Sequence, residues 1–262
     1  MRRRATGWLA AAYAAAIYAF IFLPVVVLVL FSFQDGRLPI PPFDGPSLRW
    51  YAAVFADRRL TEALVNSLLV AVLSSAAAAV LGFLAAYGLA RHRLPASALQ
   101  RALLTAPLAV SYLIIGLGLL IMFSRFGVPR SLMTVGIGHV VINLPLCFAI
   151  TYSQMGAHQV NIERAARDLG AGEWQVMLLV TAPMLMPAIL AGFLLSLTFS
   201  WDEFIIAFLL SRFEVTLPVE IWSLLRSGLD PKNNAVGSIV FLFSFALVLL
   251  MELLLLRKAR RR

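Results

Sequence analysis

Long apolar blocks separated by short polar stretches run the length of the chain. Six blocks, at about 8–33, 64–90, 102–123, 132–152, 188–210 and 236–256, reach the roughly 20 residues needed to cross a bilayer core. Backbone groups inside lipid must satisfy one another, so the blocks predict helices. The short, even alternation of a membrane barrel is absent. The expected fold is all-α: a polytopic membrane protein with six spans, read as one domain over residues 1–262.

Composition agrees. The chain is 61% hydrophobic and 13% charged, with a mean hydropathy of +0.88. Soluble domains are nearer half apolar and a quarter charged. The net charge of +9 does not point to nucleic acid, because the basic residues sit at the ends of apolar blocks, where topology and anionic lipid account for them. The first block follows Met1-Arg2-Arg3-Arg4 but exceeds a signal h-region of roughly 7–15 residues, so it reads as an uncleaved span. The single cysteine, Cys147, excludes an intrachain disulfide.

Lys and Arg near block ends set the expected orientation. One set of flanks holds 13 such residues, from Arg2, Arg91 and Arg164 to the cluster after Arg257; the other holds 9, including Arg37, Arg125 and Lys232. Both termini and the loop around Glu163 are therefore expected in the cytoplasm. Residues 34–63 and 211–235 are expected outside, in a multi-pass membrane protein.

The longest of the expected cytoplasmic loops, 158–180 in a loop region of 158–182, carries the most informative pattern. Val160, Glu163, Arg164 and Arg167 predict a short surface helix, supported by Ala165 and Ala166. Gly170 is placed to stop it. A second short helix is expected from Glu173 to Val180, with Pro183 and Pro187 punctuating the return to the membrane. On spacing alone this also describes an ordinary amphipathic connector at the interface.

The run Arg164-Ala165-Ala166-Arg167-Asp168-Leu169-Gly170, followed by Val180-Thr181-Ala182-Pro183, resembles the EAA motif of binding-protein-dependent ABC importer permeases. Arg164 stands where that family has Glu, with Glu163 one place earlier, and Ala182 stands where it has Leu. The resemblance extends through Leu23-Pro24, Ser32-Phe33, Trp50-Tyr51, Asn66-Ser67-Leu68, Pro107, His139 and Asn143-Leu144-Pro145. It covers essentially the whole chain and is similar to the spermidine/putrescine-type permeases. It implies that Glu163, Arg164, Ala165, Ala166, Asp168, Leu169 and Gly170 couple the spans to a separate ATPase by rigid-body motion. It also implies a second homologous permease, two ATP-binding-cassette ATPase subunits and an extracytoplasmic substrate-binding protein as partners. Leu217 to Trp222, with Leu229-Asp230-Pro231, is the expected docking surface for the last of these.

No motor is encoded here. Neither lysine, Lys232 or Lys258, lies in a phosphate-binding P-loop, and no cofactor or metal pattern stands out. His92, His139 and His158 are scattered. His139 and Asn143 lie one helical turn apart, which reads as helix packing or as part of a pathway.

The fifth block carries Ser200-Trp201-Asp202-Glu203. Acids inside a span are costly and default to function. At roughly 1.5 Å per residue, Asp202 lies about 21 Å in from Ala188, in the outer half of the bilayer. Glu203 shares a wheel stripe with Gly192, Ser196, Ser200 and Ala207. The four residues are candidates for a substrate pathway, and the resembling permeases carry an acidic pair here. A polyamine or related organic cation would need carboxylates to replace lost hydration. The competing reading is that the acids bind partner donors and set local geometry. An ion-coupled secondary transporter using Asp202 or Glu203 is the alternative function, although the internal repeat common in such proteins is not apparent. A polytopic enzyme would need clustered catalytic residues, which are missing.

Overall fold

The computed structural model describes residues 2–228 and 230–259. Leu229 of the expected docking surface lies outside them. The elements are α1 (Arg2–Ser32), α2 (Arg49–Ala56), α3 (Arg58–Arg91), α4 (Ser97–Thr105), α5 (Tyr112–Arg125), α6 (Leu132–Ser153), α7 (Ala157–Asp168), α8 (Glu173–Gln175), α9 (Ala182–Trp201), α10 (Ile205–Leu210), α11 (Leu217–Ser227) and α12 (Pro231–Ala259). Among the described residues the only strand-like feature is an isolated bridge between Gln34 and Pro46. Among the described residues five helices are long and apolar enough to span a membrane, and a bent pair makes a sixth crossing if counted as one.

The chain forms two compact units. One joins the chain up to Thr61 with Ile221–Phe243; the other joins Glu62–Glu220 with the chain from Ser244 onward. In the first unit, Gln34 is the hub. It is 1% exposed, its Nε2 donates to the Pro42 carbonyl at 3.0 Å, and its carbonyl accepts from Trp50 Nε1 at 2.8 Å. Ser32 Oγ and Tyr51 OH share a 2.7 Å hydrogen bond between α1 and α2. Asp57 caps α3, accepting from the Arg59 N–H at 2.9 Å, and is ion-paired with Lys232 at the start of α12.

In the second unit, α3, α6 and α9 meet through small residues. A Cβ at Gly82 of α3 would fall 2.7 Å from the Phe148 backbone nitrogen of α6, so only glycine permits this approach. At the same place on α6, Cys147 Sγ lies 3.4 Å from the Gly192 carbonyl of α9. Close backbone approach through small residues is the usual way membrane helices associate, since lipid offers no hydrophobic drive between them. A second cluster packs Val70, Phe123, Val135 and Ile142 around Ile206, Ala207 and Leu210 of α10.

Two expected spans are corrected. The block at 102–123 is not one straight helix. α4 continues as a 3-10 turn over Ala106–Ala109, Val110 is extended, and α5 leaves at 107°. Pro107 starts the tight turn, and the Ser111 side chain accepts from the Leu113 N–H to open α5 as a new helix. Arg101 Nη1 donates to Tyr152 OH at 3.1 Å and ties α4 to α6.

The fifth block is also displaced. A continuous helix runs Glu173–Trp201, so the expected helix from Glu173 to Val180 is the beginning of the span and not a separate surface element. Its Val176–Thr181 part is a π-helix. Pro183 lacks an N–H and crowds the carbonyl four residues back; a wider turn just before it relieves both demands. The span then stops at Trp201, with Asp202 as C-cap, instead of running to Leu210. The chain resumes as α10 after a break at 202–204.

Candidate functional site

The loop helix α7 forms as its sequence dictates and ends in a Schellman motif. Gly170 has φ +90°, its N–H donates to the Arg167 carbonyl at 2.8 Å, and the Ala171 N–H donates to the Ala166 carbonyl at 3.1 Å. Arg167 then bridges the turn with a two-pronged ion pair to Glu173, at 2.8 and 3.0 Å. That carboxylate's hydrogen bonds hold the Arg167 guanidinium above its usual pKa.

The seven expected coupling residues divide into two groups. Arg164, Ala165, Asp168, Leu169 and Gly170 are exposed, and Ala166 is half-buried. Leu169 is 90% exposed. Glu163 faces the other way and is fully buried. Its carboxylate accepts from Arg91 Nε of α3 at 2.6 Å and from Thr181 Oγ1 of the π-helix at 2.8 Å. Glu163 is thus a strut that joins α7 to two spans. Neither Arg91 nor Thr181 carries a local pattern marking this role; the three residues meet only through the fold.

The four pathway candidates divide as well. Asp202 is exposed, whereas Ser200, Trp201 and Glu203 are buried. Glu203 turns its carboxylate onto the N-terminus of α10, accepting from the N–H groups of Ile205 at 2.9 Å, Ile206 at 2.9 Å and Ala207 at 3.2 Å. An anion suits that position because the first N–H groups of a helix have no intrahelical partner. The carboxylate also lies 3.5 Å from His139 Nε2.

His139 Nδ1 meets Ser200 Oγ at 2.6 Å, and Ser200 Oγ meets Ser74 Oγ of α3 at 3.0 Å. One turn away, Ser196 and Ser75 are linked at 3.1 Å. A buried polar seam therefore crosses α3, α6 and α9. His139 thus links α6 to α9 through Ser200. The stripe of Gly192, Ser196 and Ser200 does face neighbouring helices. Ser74 and Ser75 were not legible as its partners, because serine pairs are common in spans and their faces depend on helix rotation. Among the described residues no group of His, Cys, Asp and Glu could hold a metal.

On the other side of the unit, Asn66 Nδ2 donates to the Val215 carbonyl at 3.1 Å, and Ser67 Oγ accepts from the Leu217 N–H at 2.7 Å. These bonds fix the start of α11. Leu217 is buried while Trp222 is 45% exposed, so the expected docking segment presents only its later part.

Residues 78–261 match the family of binding-protein-dependent transport system inner membrane components. The chain is 29% identical over 241 residues to the spermidine/putrescine transport system permease protein PotC of Escherichia coli, covering 91% of this chain and 90% of that one. It is 34% identical over 231 residues to the putrescine transport system permease protein PotI of Escherichia coli, covering 85% and 82%. Among solved structures, its fold is similar to a chain of a bacterial ABC transporter involved in the import of the acidic polysaccharide alginate, with TM-score 0.68, 19% identity and coverage of 97% and 96%. A chain of a bacterial alginate ABC transporter in complex with an alginate pentasaccharide-bound periplasmic protein gives TM-score 0.70 at 17% identity, covering 95% and 93%. The chain belongs to the binding-protein-dependent transport system inner membrane components, and is a multi-pass permease subunit of an ATP-binding-cassette importer.

Proposed function

We propose that this permease provides half of a translocation pathway for a polyamine or related small organic cation, with α7 as the element that receives work from a separate ATPase. The chain acts as one permease domain over residues 1–262, with both termini in the cytoplasm. It pairs with a second, homologous permease and two ATPase subunits, and takes cargo from an extracytoplasmic binding protein. ATP is hydrolysed on the ATPase subunits. The observation that carries the coupling role is the division of α7 into two faces. Arg164, Ala165, Asp168, Leu169 and Gly170 are open, while the buried Glu163 grips both α3 and the π-turn leading into α9. A push on the open face therefore moves two spans as a rigid body.

The cargo class is supported by relatives named for spermidine and putrescine, and by Asp202. Its exposed carboxylate sits at a helix break, where it is free to meet an ammonium, whereas Glu203 is committed to α10. Asp202→Asn tests this. A charge-assisted hydrogen bond contributes about 1.5–3 kcal/mol, so the variant should raise the half-saturating spermidine concentration about tenfold or more. Uptake with unchanged affinity would remove Asp202 from the path.

A further inference from the structure

The fifth apolar block breaks where no glycine or proline stands. α9 stops at Trp201 and α10 starts at Ile205, with largely apolar sequence on both sides. Glu203 holds the break, because its carboxylate takes up the N–H groups of Ile205, Ile206 and Ala207. In an unbroken helix the N–H groups of Ile206 and Ala207 would serve the carbonyls of Asp202 and Glu203. α10 therefore begins with its donors satisfied.

The end of α9 is not matched in the same way. A helix leaves its last carbonyls without intrahelical partners and carries a partial negative charge there. α5, α6 and α7 answer this with a C-cap N–H that turns back onto the last turn. Among the described residues, neither the Asp202 nor the Glu203 N–H returns to the Thr198 or Phe199 carbonyl. Asp202 then adds a carboxylate at the end of a helix, where a cation is favoured. Asp57 shows how the fold treats such an acid elsewhere. Its N–H closes α2, its side chain caps α3, and Lys232 pairs with it. Asp202 has none of these. Its side chain is exposed and forms no hydrogen bond or ion pair among the described residues.

Open backbone and charge at membrane depth persist where they line a water-filled cavity or meet a polar partner. We infer that the carbonyl end of α9, together with the Asp202 carboxylate, is a binding subsite for a primary ammonium group, and that Glu203 is the positioning residue that keeps it open. A primary ammonium carries three N–H donors on one positive charge. One reaches the carboxylate in a charge-assisted bond, and the others meet the carbonyls of the last turn. Broken helices in transporters present such carbonyl ends to cations. The inference rests on the reading of Asp202 as a cargo contact and deepens it. Recognition depends on N–H donors as well as on charge. It also depends on Glu203, which cargo does not touch, since that side chain is 4% exposed.

The test is calorimetric titration of the complete importer in nanodiscs, without its binding protein, so that the permeases alone meet the probe. The probes are putrescine, its hexamethylated bis-quaternary analogue, which keeps both charges and the chain but has no N–H, and sodium chloride. Wild type should bind putrescine saturably, and the analogue at least about tenfold more weakly. Asp202→Asn should weaken both. Glu203→Ala removes the acceptor for the α10 N–H groups and lets the helix close over the break, so putrescine should fall to the affinity of the analogue. Equal wild-type affinity for the two amines, with both weakened by Asp202→Asn, would overturn the carbonyl subsite and leave Asp202 as a cargo contact. Unchanged affinity in Asp202→Asn would remove that contact and the subsite with it. A preference for putrescine that survives in folded Glu203→Ala would show exclusion by bulk and overturn the subsite. So would sodium that displaces putrescine at equal concentration, or the absence of saturable putrescine binding. If Glu203→Ala does not purify, the wild-type comparison of the two amines still decides.

Discussion

Glu163 shows how a residue can be found from sequence while its contacts stay hidden. It stands beside the recognisable Ala165-Ala166 and Gly170, so a place in the loop is legible. Its direction is not, since the acceptor role depends on Arg91 and Thr181, 72 and 18 residues away. Glu163→Gln keeps an acceptor for Thr181 but leaves a buried guanidinium unpaired. Breaking a buried pair in this way costs about 3 kcal/mol or more. The melting temperature of the purified variant should fall clearly, while an unchanged value would show that the strut carries no weight. Asp57 offers a second residue-scale test. The Lys232 ammonium, hydrogen-bonded to it, holds its carboxyl below the ordinary value of 3.8. A carboxyl with a depressed folded pKa contributes stability that is complete above the unfolded value and is lost as pH falls through the folded one. Thermal stability should therefore decline more steeply below about pH 3.8 in the wild type than in Asp57→Asn, as read by melts across that range. Parallel curves would contradict the pairing.

Helices and loops divide by whether their signals are local. α7 is legible because its cap, its alanines and Gly170 lie within a few turns of one another. The break after Trp201 is not, because no Gly or Pro marks it. An acid that curls back to cap the next helix makes the turn, and it reads from sequence as a charge inside a continuous span. Pro107 and Ser111 make the bend between α4 and α5, but they lie in an apolar block whose length alone reads as one span. The approach of α3 to α6 supplies the prediction at this scale. Gly82→Ala would put a Cβ 2.7 Å from the Phe148 nitrogen and 2.8 Å from Cys147 Cβ. Overpacking of this kind costs about 1–3 kcal/mol. Gly88→Ala, in the same helix with nothing within 4 Å, is the control. Chemical or thermal unfolding in detergent should separate the two variants; equal stability would mean that the helices part without cost.

For the whole molecule, the apolar blocks made membrane class and approximate span count legible, because bilayer thickness is a physical ruler. They could not show the pairing of Glu203 with α10 or of Glu163 with two spans, which arise only when distant segments pack. The measurement that bears most directly on the coupling account is ATP-driven spermidine uptake by the complete importer in proteoliposomes, comparing wild type with Gly170→Val. Gly170 holds φ +90°, where a β-branched residue is strained by at least about 1–2 kcal/mol, and nothing else crowds it. The variant should insert and assemble with its partner permease, yet hydrolyse ATP without moving cargo. Wild-type uptake that needs only an ion gradient, or Gly170→Val uptake equal to wild type with hydrolysis still coupled, would contradict the account.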